Sequence, residues 1–266
     1  MSKTHLLLID PQNDFHDLAG SALPVPGALQ DASRLSKVIN SKQKALDDIH
    51  ITLDTHQLLD VAHGIMWVDS QGRHPDPFTI ITADDVQQGK WRAFNPAYQQ
   101  RLAGYVQQLE ANGRYPLCIW PPHALVGSWG YSLVEPIWEA GLAWERARMR
   151  RIDYVTKGHN PWTEHYSGVQ ADVPDPADPT TQLNTQLIQT LEKADVVFLS
   201  GQALSHCVAN TVRDIANNFG EQSINKLVLI EDTSSPVPGF ENLAEEFLRE
   251  MKARGMQTVN AAQVDI

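Results

Sequence analysis

The sequence predicts an α/β fold: a mostly parallel sheet of about six strands, with helices on both faces in three layers. Two observations carry the expectation. Short apolar, β-branched runs alternate with amphipathic segments along the 266 residues, the pattern of βαβ units with right-handed crossovers. The apolar runs are also nearly continuous rather than alternating, as in strands buried on both faces.

In chain order, "THLLLID" opens as a strand, and Leu29, Ala32, Leu35 and Ile39 follow at helical spacing. "DIHITLD" is the second strand. Residues 64–95 are too long for an ordinary connection and are expected as an insertion with a hairpin around "SQGR". Leu102, Tyr105, Val106 and Leu109 then mark a helix, and "YPLCIW" and "IDYVTK" read as further strands. The Pro/Asp-rich "QADVPDPADPTTQ" is expected as a surface loop. Leu183, Leu187 and Leu191 mark a helix before the strand "DVVFLSG". Val208, Val212, Ile215 and Phe219 mark another that stops at Gly220, with Ser205 as its N-cap. "NKLVLIED", the helical set Leu243, Phe247 and Met251, and "MQTVNA" complete the alternation. No internal repeat interrupts it, and one domain over 1–266 is expected.

Composition narrows the function. A formal net charge of −11 argues against nucleic acid or an anionic membrane as the main partner. It leaves a small neutral substrate open. Two cysteines do not make a disulfide framework, and the apolar run in "MSKTHLLLID" is too short for a signal peptide or a membrane span. A cytoplasmic protein is expected.

Ligands of open parallel sheets bind beyond the carboxyl ends of the strands. There the sequence places Asp10, Asp54 with His56, His123, Lys157 and Cys207. Cys207, at a helix start, is expected to be favoured as a thiolate. His206, its neighbour on the helix, points elsewhere and is not the expected base. Asp10 as base, Lys157 as charge partner and Cys207 as nucleophile make an activated thiol. Asp54, His56 and His123 suit Zn²⁺, Fe²⁺ or Mn²⁺ with open positions for water or substrate. His63 stands as a fourth ligand or as a neighbour of the ligands.

The segments "LLIDPQNDF", "LDTHQ…AH", "WPPH", "KGHNPWTEHYSG" and "SGQALSHCVANTVRD" resemble, in order, the motifs of the nicotinamidase branch of the isochorismatase-like cysteine hydrolases, whose fold is Rossmann-like. The resemblance implies a metal-dependent amidase that deaminates nicotinamide to nicotinate and ammonia through a thioester, in NAD salvage. It implies that Cys207 attacks the carboxamide, Asp10 relays the proton, and the N–H groups of Ala203 and Cys207 hold the oxyanion. A cis bond is implied between Gln202 and Ala203. The metal would hold the ring nitrogen, with Phe15, Trp120 and Tyr166 walling the ring, and self-association is a family-level expectation. The sequence departs from the pattern at His16, Asp17 and Ala124, in the long His56–His63 spacing and in the insertion before Trp120. A second reading keeps the thiol chemistry with another heteroaryl or acyl carboxamide, and a third is a non-catalytic binding protein that keeps the fold.

Overall fold

The structure, a computed structural model, describes residues 3–266. In chain order its strands are β1 (Thr4–Ile9), β2 (Asp48–Asp54), β3 (Trp67–Val68), β4 (Ile80–Ile81), β5 (Arg92–Ala93), β6 (Leu117–Cys118), β7 (Asp153–Lys157), β8 (Val196–Gly201), β9 (Leu227–Ile230) and β10 (Gln257–Val259). The helices are α1 (Ala28–Lys42), α2 (Ala83–Gln87), α3 (Gln99–Ala111), α4 (Glu135–Arg148), α5 (Thr185–Glu192), α6 (Ala209–Phe219) and α7 (Glu241–Ala253). Six strands form one all-parallel sheet in the order β10-β9-β8-β1-β2-β7, as the apolar runs predict.

Side chains alternate across this sheet, so each face carries its own core. Leu6, Leu8, Ile49 and Ile51 pack with Leu35 and Ile39 of α1 and with Ile137 and Trp144 of α4. Leu7, Ile9, Leu199 and Leu229 pack with Val212 and Ile215 of α6 and Phe247 of α7 on the other face. Each such side chain contributes about 1.5–3 kcal/mol when fully buried. Helix α4 is not among the expected helices, although Val134, Ile137, Ala140 and Trp144 are buried at spacings of three, three and four. Its Glu- and Arg-rich outer face obscured that stripe.

One expected strand lies elsewhere. "YPLCIW" supplies only Leu117–Cys118, paired antiparallel with Ile80–Ile81 in a separate two-stranded ribbon. The insertion and the residues just before it occupy its backbone: Ile119 N–H donates to Thr79 O at 2.9 Å, and Trp120 N–H to Ala62 O at 2.8 Å. β7 is therefore the sheet edge. The turn at "SQGR" forms, closed by Asp69 N–H to Arg73 O at 2.9 Å, but β3 pairs with Arg92–Ala93 rather than across that turn. The Pro/Asp-rich segment is partly internal, since Ala171, Asp172 and Thr181 are buried.

Register positions the site. Ile9 lies opposite Gly201, and Asp54 opposite Lys157, so four neighbouring strands end at one level. Gly201 sits at φ 128°, where a Cβ would come within 2.0 Å of Ile9 O. Only glycine allows that approach.

Candidate active site and metal centre

The structure brings Asp10, Lys157 and Cys207 together. The Lys157 ammonium lies 2.9 Å from Asp10 Oδ2, 3.1 Å from Asp54 Oδ1 and 3.8 Å from Cys207 Sγ, and donates to His165 O at 2.9 Å. All three residues are buried, with Cys207 6% exposed. Burial opposes the charge on Lys157, but Asp10 and Asp54 outweigh it and hold the ammonium well above the ordinary lysine range. Burial raises the Asp10 carboxyl, with Lys157 acting against it. Thr52 steadies Asp10: its hydroxyl donates to Asp10 Oδ1 and accepts the Asp10 N–H at 3.1 Å.

The thiol departs from the sequence reading. Cys207 lies in a π-type turn, Leu204–Val208, that precedes α6 and starts from Ala203. Ser205 is inside this turn and is not the N-cap. Its hydroxyl accepts the Val237 N–H at 3.1 Å and meets His206 Nδ1 at 2.8 Å. Burial pushes the Cys207 thiol well above its ordinary range, with Lys157 opposing and Asp10 adding to the rise. Loss of water thus acts against the thiolate that the helix start favours, and Asp10 stands beside the thiol as an acceptor. His206 is neutral: burial lowers its pKa to about 3. Cys118 is buried in the β6 ribbon, and burial pushes it up to about 12. The Gln202–Ala203 bond is cis, as the resemblance implies.

Beside the triad, ligating atoms of Asp54, His56 and His123 lie within 4.8 Å of one another. His56 Nε2 is 3.2 Å from Asp54 Oδ1, and His123 Nε2 is 3.7 Å from Asp54 Oδ2. The rings of His56 and His123 are 4.9 Å apart, and His63 stands 5.4 Å from one and 5.8 Å from the other. Each imidazole is tied on its outer nitrogen: His56 Nδ1 to Asp60 Oδ2 at 3.0 Å, His63 Nδ1 to Leu58 O at 3.1 Å, His123 Nδ1 to Pro121 O at 2.8 Å. The Nε2 atoms of His56 and His63 are buried and, among the described residues, have no hydrogen-bond partner. Buried nitrogens of that kind are costly unless something fills the space between them. The donor set fits a divalent transition cation. Gly158, at φ 80°, closes the arrangement, since a Cβ there would lie 2.7 Å from Asp54 Oδ1.

Electrostatics tie the two groups together. Burial opposes ionisation of Asp54, yet His56 and Lys157 draw its pKa well below the usual carboxylate range. Burial likewise opposes charge on His56, and Asp54 and Asp60 override it to raise that imidazole well above the ordinary value. Burial holds His63 neutral, at about 4.

Of the expected ring walls, Phe15 stands edge-on to His123 at 5.4 Å. Trp120 and Tyr166 are joined by an indole N–H donating to the phenol oxygen at 2.9 Å, and both face His206, at 5.1 and 5.2 Å. Four residues here were not expected from sequence: Thr52, Gln12, Asp60 and Glu164. Gln12 clamps Asp54, donating to its carbonyl at 2.8 Å and accepting its N–H at 2.7 Å. Glu164 is buried with Oε2 unpartnered among the described residues, and burial raises it to about 8. Gln12 lies inside "DPQND", and Asp60 stands four residues after His56, so those two had a visible signal.

The six-stranded sheet with its covering helices is a fold shared with solved nicotinamidases and pyrazinamidases. The yeast nicotinamidase bound to the inhibitor nicotinaldehyde matches with a TM-score of 0.67 at 19% identity, over 97% of this chain and 99% of that chain. An Acinetobacter baumanii nicotinamidase matches with a TM-score of 0.66 at 16% identity, over 98% of each chain. A Pyrococcus horikoshii pyrazinamidase in complex with zinc matches with a TM-score of 0.55 at 19% identity, over 97% and 99%. No protein-family model matches the chain, and no curated protein is similar to it in sequence.

Proposed function

We propose that the chain is a metal-dependent cysteine amidohydrolase that converts nicotinamide to nicotinate and ammonia, acting as one domain with residues 64–95 as an insertion. The observation that carries this reading is the single ammonium of Lys157, set between Asp10, Cys207 and Asp54, whose carboxylate also faces the imidazoles. Neighbours in fold include a nicotinamidase holding nicotinaldehyde and a pyrazinamidase holding zinc.

In this reading Cys207 Sγ attacks the carboxamide carbon as its proton passes to Asp10. Asp10 gives that proton to the departing ammonia, leaving an acyl thioester on Cys207. Asp10 then takes a proton from water, the hydroxide cleaves the thioester, and the thiol is restored. The raised Asp10 pKa suits a group that must both accept and return a proton. Lys157 keeps the pair electrically balanced through each transfer. The N–H groups of Ala203 and Cys207 serve the oxyanion, each such donor being worth about 3 kcal/mol. Asp54, His56 and His123, with His63 as fourth, would hold a divalent metal, zinc by preference with iron or manganese alternatives. The metal would supply a Lewis acid for the ring nitrogen. Phe15 would limit the ring on one side.

Ammonia release from nicotinamide tests the proposal. Cys207→Ala is expected to lower turnover by about four orders of magnitude or more, and chelation of the wild type to abolish it until metal is returned. Release by the alanine variant at the wild-type rate would sink the mechanism. One observation favours a different carboxamide: Phe78 of the insertion packs edge-on against Trp120 at 5.7 Å, so the insertion reaches the aromatic group beside the site. A panel of heteroaryl and acyl carboxamides separates these two substrates.

A further inference from the structure

Asp60 has no part in the chemistry above, yet it is buried at 1% exposure. Its carboxylate meets no lysine or arginine among the described residues; the ion pair found for it is with His56, 3.0 Å away. Oδ1 accepts the Ala62 N–H at 2.9 Å, and its carbonyl accepts the His63 N–H at 3.0 Å. One residue therefore grips the outer nitrogen of His56 and ties the turn that presents His63. The outer nitrogens of His63 and His123 rest on neutral carbonyls, so His56 alone is backed by a charge.

An isolated buried carboxylate is unfavourable unless a positive charge answers it. A cation beyond His56 Nε2 would answer it through the ring. We propose that Asp60 is a positioning residue for the metal: it holds His56 with its proton on Nδ1 and its lone pair on Nε2, and makes that nitrogen a stronger donor. The inference rests on the metal reading given above and extends it to a residue outside the ligand set. The bland alternative is a turn cap. An aspartate side chain accepting the N–H two residues on is a common local motif, and asparagine serves it as well.

Asp60→Asn distinguishes the two roles. Asparagine keeps the acceptor for Ala62 but turns an NH₂ group toward His56 Nδ1–H, so the ring must turn over or lose its alignment. The measurement is Zn²⁺ affinity by competition with a chromophoric chelator. It is made in a Cys207→Ala background, because Asp10, Asp54 and Cys207 form a neighbouring group able to take a cation. Asp60→Asn is expected to weaken Zn²⁺ binding about 10–100-fold while the metal-free protein still unfolds in one cooperative thermal transition. Equal affinity in both proteins would overturn the inference and leave the metal reading standing. No Zn²⁺ binding by the parent would overturn both. Should the variant not fold, ring-nitrogen NMR of the zinc-loaded parent decides: a retained Nδ1 proton on His56 is expected, and metal on Nδ1 would overturn the proposal.

Discussion

β1 and β2 carry a histidine–aspartate cluster at each end, and the two clusters behave differently. At the amino end His5 Nδ1 meets His50 Nε2 at 3.0 Å, His50 Nδ1 meets Asp153 at 2.8 Å, and His5 Nε2 faces Asp48 at 3.6 Å. Every ring nitrogen there has a protein partner. At the carboxyl end the Nε2 atoms of His56 and His123 share the single carboxylate of Asp54, at 3.2 and 3.7 Å, and that of His63 has no hydrogen-bond partner among the described residues. The residue types are the same and the histidines of both clusters are buried, so composition does not separate them. Satisfaction does: the amino-end cluster is closed on itself and stitches β1, β2 and β7, whereas the other is open toward a common centre and has something left to bind.

Exchanging one histidine at each end tests the distinction, with the largest expected effect at the open end. His56→Ala removes a ligand and is expected to lower Zn²⁺ affinity and amide turnover by more than the roughly 10–100-fold that loss of an outer partner costs. His50→Ala leaves His5 Nδ1 buried without its partner. It is expected to cost about 1–3 kcal/mol in chemical denaturation, with affinity and turnover unchanged. Equal loss of Zn²⁺ binding in both variants would break the comparison.

The contrast also shows what was legible beforehand. Strand ends are easy to read, because an apolar run has to stop where water or a site begins; Asp10, Asp54, Lys157 and Cys207 were placed that way. Their mutual distances come from register, Ile9 against Gly201 and Asp54 against Lys157, which no local pattern encodes. At Cys207 the helix start, a local feature, favours a thiolate, while burial, a property of the whole fold, acts against it. Leu117–Cys118 was misplaced because its apolar character fits any buried strand, and the partner that claimed it came from an insertion. Asp60 and Gln12 were visible as residues, but their roles appear only as hydrogen bonds across the site.

A histidine with neither a carboxylate nor an open centre offers a third case. His206 is ringed by Trp120, Tyr115, Tyr166 and Phe240, and burial alone lowers it to about 3. Its proton is bound in the unfolded chain below about pH 6.5 and not in the fold until about pH 3. Stability from this residue is therefore complete above 6.5 and falls on acidification, by about 1.4 kcal/mol per pH unit inside that window. His206→Phe removes the group that titrates. Its stability difference from wild type is expected to shift in the variant's favour by that slope as pH falls from 6.5 to 4, measured by urea unfolding. A constant difference would mean that His206 accepts a proton while folded.

The carboxylates of the two ends divide in the same way. At the amino end the hydrogen bond from His50 lowers the half-exposed Asp153. At the carboxyl end burial raises Glu164 to about 8, and the charges on Asp60 and Asp54 add to the rise, with His56 opposing. The fold keeps the Glu164 proton that the unfolded chain releases near pH 4.5. Its contribution is thus complete below 4.5 and is lost as pH rises toward 8, again by about 1.4 kcal/mol per unit. Glu164→Gln keeps the shape and the acceptor for the His165 N–H without the ionisation. Relative to wild type it is expected to gain about 1–3 kcal/mol between pH 6 and 8, and to show no such trend below 4.5. A flat difference across pH 6–8 would place a cation or a further donor beside Glu164 and make that carboxylate part of the open cluster, which moves the boundary between the two regions rather than erasing it.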